Sequence, residues 1–411
     1  MKRVVSFFVL GIGLFCFVLT AALLAEDRNP PPGTVIDASS DFARLHLGAP
    51  SMEILPDGTY IASHDWFGEK ETHSTVVFES KDRGGHWSQI AEIPNQKAAM
   101  LFFTAGKLWL IGWIYAEEGI EHNSIVIRRS DDGGRTWTKP IDEKNGLLLS
   151  DREYFCDPAP VLIHNGRVWK EAEAVGPKTG IGRDWATGYQ PLMMSAPVDS
   201  DLLNRNNWTF SNPVAWTHQP GLGGWLEGNA LFDPDGRMLI LMRVDDIKND
   251  GKAARLNLSD DFKTLSYDPN SGFVAMPGGC KKFVIRFDEV TKQYWSLVNW
   301  VHPDDRDAPD KERVRNTLAL VCSNDLSHWE VRTIVYHHKD LAKGFQYVDW
   351  RIVGDDIHFV CRLAWDGAPN CHDSNYLTFD ILKNFRHRDG RDGRDGRDAP
   401  AGGGRRGIEK Q

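Results

Sequence analysis

Short apolar runs alternate with tight turns along most of this chain. The runs at 75–78 and 124–127, for example, are rich in β-branched residues and end at turns containing Asp and Gly, which predicts strands rather than helices. A hairpin of two apolar strands recurs at intervals of roughly 50 to 70 residues. Its turns are Asp57-Gly58, Ala105-Gly106, Asn165-Gly166, Asp235-Gly236, a longer turn around Thr291, and Gly354-Asp355.

A polar turn motif, Ser-x-Asp-x-Gly-x-x-Trp, follows each of the first five hairpins in complete or shortened form. Ser and Asp side chains bond local backbone groups, Gly permits positive φ, and Trp packs the turn against the sheet. Looser versions stand at 201–208 and 259–265. The better copies consist of Ser80, Asp82, Gly84 and Trp87; Ser130, Asp132, Gly134 and Trp137; and, one residue shorter, Ser323, Asp325 and Trp329. We expect these residues to be structural.

Six hairpins, each with room for two more strands, predict an all-β, six-bladed β-propeller over residues 40–386. The terminal strands would complete one blade together. A seven-bladed ring is the alternative, because the 71 residues between Trp137 and Trp208 have room for extra strands.

The turn motif resembles the Asp-box, or BNR, repeat of the sialidase-type β-propellers, and the resemblance covers roughly residues 40–386. It implies a propeller fold and glycoside hydrolase activity. The turn motifs would lie on one face of the ring. The substrate would bind at the other face, where the first strand of each hairpin begins.

The two ends of the chain differ in composition from the propeller region. Residues 1–25 have a basic start and a long apolar run, which predicts a secretory signal and a secreted or periplasmic protein. Because the run 4–25 is long enough to span a bilayer, an uncleaved membrane anchor is the alternative. Residues 26–39 are expected to be a linker, and residues 387–411, with their Arg-Asp-Gly repeats, a disordered tail.

Charge and cysteine content narrow the choice of partners. A net charge of −9 argues against nucleic-acid binding, and without the apolar run nothing suggests a membrane partner. Cys361 and Cys371 would form a disulfide in an oxidising compartment, or remain free buried thiols. The sequence contains no CxxC or HExxH motif, so no metal or cofactor is predicted.

The expected mouth of the propeller is rich in aromatic and charged side chains. Aromatic rings stack on sugars and cations bind carboxylates, so this composition predicts a carbohydrate partner, in particular an acidic sugar. The residues predicted to lie there are His64, Asp65, Trp66, Tyr154, Asp157, Trp225, Glu227, Arg243, Lys281, His302, Tyr347, Asp349 and Arg362.

The sialidase resemblance implies roles for four of them. Glu227, followed by a strand, an Asp-Gly turn and Arg243, looks like the family segment whose Glu assists the nucleophile and whose Arg binds a carboxylate. Tyr347 stands where the family has its Tyr nucleophile, and Asp65 lies where it keeps its acid/base.

One family position is changed. Gly48 occupies the place of the first carboxylate-binding arginine, so the clamp is incomplete. Lys281, Lys282 or Arg315 would supply charge instead.

These observations favour a secreted, sialidase-like glycoside hydrolase acting on an acidic or otherwise unusual glycan. The first alternative is a polysaccharide lyase in which His64 or His302, with Tyr154 or Tyr347, moves protons. The second is a non-catalytic propeller that binds glycans through its aromatic residues.

Overall fold

Six antiparallel sheets surround a central channel in the computed structural model, which describes residues 29–249 and 251–388. Each sheet is one blade, and its first strand lines the channel. The described residues therefore form the six-bladed β-propeller predicted above. A seventh blade is wrong, because the interval 137–208 holds only the end of blade two and most of blade three.

The first three blades follow the chain in order, from the channel outward. In blades one and three the inner strand is interrupted, so two short strands share that position. Blade one contains β2 (His46–Leu47), β3 (Ser51–Ile54), β4 (Tyr60–Phe67), β5 (Ser74–Ser80) and β6 (Ser88–Pro94). Blade two contains β7 (Lys97–Thr104), β8 (Lys107–Ile114), β9 (Ser124–Ser130) and β10 (Leu147–Leu149). Blade three contains β11 (Tyr154–Phe155), β12 (Leu162–His164), β13 (Arg167–Val175), β14 (Tyr189–Pro197) and β15 (Thr209–Phe210).

Blades four and five repeat this order, and blade six joins the two ends of the described chain. Blade four contains β16 (Trp225–Phe232), β17 (Met238–Val244), β18 (Lys252–Leu258), β19 (Leu265–Ser266) and β20 (Phe273–Ala275). Blade five contains β21 (Val284–Asp288), β22 (Gln293–Asn299), β23 (Thr317–Ser323) and β24 (Trp329–His337). Blade six contains β25 (Gly344–Val353), β26 (Asp356–Ala364), β27 (Tyr376–Leu382) and, as its outer strand, β1 (Thr34–Ala38).

The pairing of β1 with β27 closes the ring and corrects one boundary. Residues 34–38 fall within the segment expected to be a linker, yet they form a strand. Ile36 is buried in a core with Leu377 and Phe379 of β27, and this packing explains the order. The expected signal segment 1–25 lies outside the described residues, as does all but the start of the expected tail 387–411.

Helical structure in the described part of the chain is limited to short 3₁₀ turns. They are η1 (Arg205–Asn207), η2 (Pro303–Asp305), η3 (Lys311–Arg313) and η4 (Phe385–His387). None of the described helical segments is long and apolar enough to cross a membrane.

The repeated Ser-Asp-Gly-Trp turns join the third and fourth strands of blades and lie away from the mouth, which we define as the face where the inner strands begin. In the first copy Ser80 Oγ accepts the Gly84 N–H at 2.8 Å, and Trp87 Nε1 donates to the Gly84 carbonyl at 3.2 Å. The corresponding bonds in the second copy are 2.8 and 2.9 Å. In the third, Trp329 donates to Leu326 O at 3.2 Å. Each Trp thus fastens its own turn.

The described cysteines form no disulfide with one another. Cys361 Sγ contacts Gln346 O at 3.5 Å inside blade six, whereas Cys371 Sγ donates to Arg313 O at 3.0 Å in a mouth loop. Of the two expectations for this pair, the structure has the unbridged one.

Candidate active site

Irregular inner strands shape the mouth. The inner strands of blades two, four and six each shift register near their first residues. The residue inside each shift has a left-handed backbone: φ is 47° at Ala98, 58° at Glu227 and 56° at Tyr347. A non-glycine residue in this region stores about 1–3 kcal/mol of strain. Glu227 and Tyr347 leave the regular alternation of their strands in this way.

Tyr347 and Glu227 form a short hydrogen bond at the mouth. The Tyr347 hydroxyl donates to Glu227 Oε1 at 2.5 Å, across 120 residues of sequence. Arg243 Nη1 donates to Glu227 Oε2 at 2.7 Å and lies 3.4 Å from the Tyr347 oxygen. Glu227 and Arg243 are buried. The carboxylate therefore bridges a phenol and a guanidinium.

The charges of this triad follow from its contacts. Burial raises the pKa of Glu227, but Arg243 and the Tyr347 hydrogen bond outweigh burial and lower it. Burial, with the charge of Glu227, raises the pKa of Tyr347 to about 12. Near neutral pH the pair is a carboxylate that accepts a hydrogen bond from a neutral phenol, the arrangement in which a general base activates a nucleophile.

Two further arginines complete a cationic wall. Arg243 Nη2 donates to Glu312 Oε1 at 2.9 Å, and Arg315 Nη2 donates to the same oxygen. Arg315 Nη1 also donates to Gln346 Oε1 at 2.7 Å. Arg362 lies over the Tyr347 ring, with its guanidinium carbon 3.8 Å from the ring centre. Arg315 thus bonds the same carboxylate as Arg243, whereas Lys281 and Lys282 donate to the backbone carbonyls of Lys311 and Val348.

A group of acidic side chains, the blade-three carboxylates, lies behind Glu227 and consists of Asp157, Glu171 and Glu173. The Glu227 backbone N–H donates to Glu173 Oε1 at 2.9 Å and to Asp157 Oδ2 at 3.1 Å. Both Glu171 carboxylate oxygens are buried without a hydrogen-bond partner, as is Glu173 Oε2. The Lys170 ammonium group donates to the backbone carbonyls of Asp157 and Glu171, at 3.1 and 2.8 Å.

Each of these three carboxyl groups has a pKa above the usual value for its residue type. Burial and the charge of Glu227 raise the pKa of Asp157 to about 6. Burial also raises the pKa of Glu171 to about 8, and burial with the neighbouring Asp157 raises that of Glu173 well above its usual range. Asp157 is the only one of the three among the described cavity-lining residues. It can therefore exchange a proton with a bound molecule.

A cavity of about 490 Å³ opens at this mouth, a volume suited to a sugar. Trp185, 37% exposed, offers an aromatic face beside Arg243, whose guanidinium carbon lies 5.8 Å from its ring centre. The lining residues are Asp157, Arg183, Trp185, Leu226, Glu227, Arg243, Glu312, Arg313, Arg315, Tyr347 and His372. Other cavities lie elsewhere, one of them against the second Ser-Asp-Gly-Trp turn.

Asp65, the expected acid/base, lies in blade one and does not line this cavity. Its Oδ2 accepts the Ala98 N–H at 2.9 Å and lies 3.6 Å from Lys97 Nζ. A Cβ atom added at Gly48 would lie only 1.8 Å from Asp65 Oδ1. The Asp65 carboxylate thus fills the space beside Gly48, so an arginine side chain would clash with it at this position.

Several other predicted mouth residues are engaged in structural contacts. His64 Nε2 bonds Asp37 Oδ2 of β1 at 2.8 Å, and the Trp66 ring packs edge-on against His64 at 4.7 Å. The Tyr154 hydroxyl donates to Asp151 at 2.8 Å, and Trp225 Nε1 donates to Tyr189 O at 2.9 Å.

The remaining predicted residues hold neighbouring elements. Asp349 Oδ1 accepts from Arg286 at 2.8 Å and Arg351 at 3.1 Å. Lys281 Nζ donates to Lys311 O at 2.9 Å. His302 caps η2 by accepting the Asp304 N–H at 3.3 Å. Both histidines proposed for lyase chemistry are thus absent from the cavity lining.

Sequence reasoning missed Glu312, Glu173 and Trp185. Glu171 and Glu173 give a detectable pattern, because the two carboxylates alternate with alanines in strand β13. Glu312 belongs to a short turn between Lys311 and Arg313, and its partner Arg243 is 69 residues away, so the sequence alone does not reveal the contact.

One group of described residues could hold a metal ion. His302, Asp305 and His337 each bring one ligand atom within 4.8 Å of the other two. They lie at the mouth end of blade five, where β22 and β24 end, and are separate from the residues around Tyr347.

Comparison with known proteins supports the β-propeller fold but identifies neither a family nor a substrate. No protein-family model matches the chain, and no curated protein matches its sequence. A Dyadobacter fermentans protein of unknown function has a TM-score of 0.55 and 13% identity, covering 87% of this chain and 100% of that one. A Penicillium chrysogenum α-L-arabinanase complexed with arabinobiose gives 0.50 and 14%, covering 88% and 99%.

A Trypanosoma rangeli sialidase in complex with sialic acid gives a TM-score of 0.52 and 16% identity, over 87% of this chain and 58% of that one. The resemblance to sialidases is therefore supported at the level of the propeller fold, which the arabinanase shares.

Proposed function

We propose that this protein is a retaining glycoside hydrolase in which Tyr347 attacks the anomeric carbon and Glu227 accepts its proton. The observation that carries the proposal is the 2.5 Å contact between the Tyr347 hydroxyl and an ionised Glu227, at the wall of an open cavity. As the phenol loses its proton, Arg243, 3.4 Å from the oxygen, stabilises the developing charge.

The acid/base role has two candidates, Asp65 and Asp157, and the geometry favours Asp157. Asp157 lines the cavity with Tyr347, and a pKa of about 6 lets it hold a proton and release it. Asp65 is the expectation from the family resemblance, but it is absent from the described residues that line the cavity. A retaining mechanism needs its acid within reach of the leaving-group oxygen.

The experiment is hydrolysis of a glycan panel in ¹⁸O-labelled water, followed by product mass. The panel includes arabinan oligomers and sialylated glycans, because the structural neighbours were solved with arabinobiose and with sialic acid. Hydrolysis adds one labelled oxygen, whereas elimination yields an unlabelled product lighter than the hydrolytic one by one water.

We expect labelled product from the wild type and a loss of at least about 1000-fold in kcat for Tyr347→Phe. Tyr294→Phe is the matched control, because Tyr294 bonds the Phe232 carbonyl away from the cavity. Unlabelled, lighter product would replace this proposal with the lyase. Binding without turnover would replace it with the non-catalytic propeller.

A further inference from the structure

Two arginines at the mouth already bind a carboxylate, and it belongs to the protein. Arg243 and Arg315 both donate to Glu312 Oε1. The two guanidiniums converge as they would on a ligand's carboxylate, since planar forks match carboxylate oxygens. Glu312 itself lines the cavity beside Tyr347.

The glutamate is held firmly in this position. It stands in the middle of η3, whose N-cap Asp310 accepts the Glu312 backbone N–H at 3.0 Å. The Lys311 N–H preceding it donates to Ile247 O of blade four at 2.8 Å. Burial opposes ionisation of Glu312, but Arg315 and Arg243 outweigh burial and lower its pKa to about 2. The side chain stays charged across the physiological range.

Two glutamates neutralise the arginine pair without a ligand, while Arg313 Nε lies 3.3 Å from Glu312 Oε2 and Arg362 adds another cation nearby. Arg243 faces Glu227 and Glu312, and Arg315 faces Glu312. An anionic sugar placed here would bring a third carboxylate next to two guanidiniums that are already neutralised. A substrate carboxylate would therefore have to compete with Glu312 for the donors of Arg243 and Arg315.

We infer that Glu312 takes the place of a substrate carboxylate, so that the site accepts an uncharged sugar. This inference rests on the proposed glycosidase function and names its substrate class. The Glu312 carboxylate and the flanking guanidiniums would bond sugar hydroxyls, and Trp185 would stack on the ring. The acidic glycan expected from the sequence is then excluded by a residue that supplies its own charge.

The test is binding of N-acetylneuraminic acid and of its uncharged methyl ester, measured by calorimetry at pH 7. Wild type should bind the acid no better than the ester. Glu312→Ala vacates the arginine pair and should bind the acid at least tenfold more tightly than wild type does. Glu289→Ala is the matched control, because Glu289 is an exposed glutamate that pairs with Lys292.

A second measurement keeps the inference testable if Glu312→Ala is unstable or no sugar binds. Acetate should raise the Tm of Glu312→Ala by several degrees, whereas acetamide should not, and neither should change wild type beyond the effect of salt. Such rescue needs no catalysis, so the inference can stand or fall apart from the glycosidase proposal. Failure of acetate to rescue, or preferential binding of the acid by wild type, would overturn it.

A different observation carries a second inference. His302 and Asp305, on the loop that also carries Glu312, face His337 at the end of β24, and the two imidazole centres are 4.3 Å apart. Two of the three potential ligands have a supporting contact. Thr317 Oγ1 lies 2.9 Å from His337 Nδ1, and Asn316 Nδ2 donates to Asp305 Oδ2 at 2.9 Å. Metal-binding imidazoles and carboxylates are usually oriented by such contacts.

We propose that these three residues bind a zinc ion. Two imidazoles and one carboxylate suit zinc, and ligand atoms within 4.8 Å need only small side-chain movements to reach bonding distance. The ion would fasten the Glu312 loop to the outer strand of blade five.

Calorimetric titration of the full chain with zinc chloride at pH 7.5 tests the site. We expect one strong equivalent, weakened at least tenfold by His337→Ala and by Asp305→Asn. His328→Ala is the control, since His328 forms an exposed pair with Asp325 on the opposite face. Absence of a strong equivalent, or equal affinity in all variants, would overturn the proposal.

Discussion

At the scale of single residues, two carboxyl groups of the mouth have different pKa values because their surroundings differ. Glu227 is ionised because Arg243 and Tyr347 bond it, whereas Asp157, a few ångströms away across the Glu227 backbone N–H, keeps its proton to about pH 6. Opposite protonation states in neighbouring carboxyl groups are what a base and an acid require.

This difference predicts the pH dependence of turnover. Asp157 must be protonated to assist the leaving group, so kcat/KM should fall as pH rises through about 6, while ionised Glu227 sets the acidic limb at lower pH. In Asp157→Asn the alkaline limb should disappear, and turnover of glycans should drop by about 100-fold or more. Dinitrophenyl glycosides, which need no acid, should retain activity. If the alkaline limb persists in Asp157→Asn, a different residue is the acid, and the pH profile of Asp65→Asn tests the other candidate.

Gly48 gives a residue-scale prediction about stability. A Cβ at this position would overlap Asp65 Oδ1, which is anchored by the Ala98 N–H. Gly48→Ala should therefore lower the free energy of unfolding by about 1–3 kcal/mol. In an Asp65→Ala background the same change should cost much less, because the clashing oxygen is gone. Urea denaturation of the four proteins measures this coupling, and additive effects would contradict it.

At the scale of elements, strand β13 places two glutamates, Glu171 and Glu173, in a buried interior. The sequence shows this unusual pattern, since the two carboxylates alternate with alanines, but it does not show what they contact. Glu173 meets the backbone of Glu227 54 residues later, and the Tyr347–Glu227 pair spans 120 residues. The resemblance to sialidases predicted the contact between Tyr347 and Glu227. No local pattern predicted the contact between Glu173 and the Glu227 backbone, nor that between Arg243 and Glu312.

The pKa of Glu171 makes β13 sensitive to pH. Its folded value, about 8, lies above the unfolded value of 4.5, so the folded state binds more protons between these limits and stability falls as pH rises through them. Glu171→Gln does not titrate and leaves no charge unpaired. It should be more stable than wild type at pH 8, by roughly 1–3 kcal/mol, with a smaller difference at pH 5. Urea unfolding at both pH values checks this, and an equal effect at both would refute it.

At the scale of the whole molecule, the repeat of hairpins and turns was sufficient to predict the architecture. Period-two strands and punctuating turns are local, so six units could be counted before any contact was known. The completion of one blade by the terminal strands was predicted, but the N-terminal strand was not located at residues 34–38, because a strand of this length is recognisable only by its partner. That partner, β27, lies more than 300 residues later.

Two neighbouring residues of β1 test how much ring closure contributes. Ile36 is buried against β27, whereas Val35 is 42% exposed on the other face. Ile36→Ala should lower the free energy of unfolding by about 2–4 kcal/mol, and Val35→Ala by less than about 1 kcal/mol. Equal effects would mean that the strand contributes backbone pairing alone. Thermal or urea unfolding distinguishes these results.

Closure by β1 also sets the order in which the molecule can be made. Five blades consist of consecutive residues and can fold as the chain emerges, but the sixth needs a strand from the beginning of the ring and three from its end. Until β27 is synthesised, the apolar side of β1 has no partner and β26 has an open edge. A chain interrupted late in synthesis would therefore expose two unpaired strands, one at each end. The tendency to aggregate should accordingly be greatest when synthesis is nearly complete.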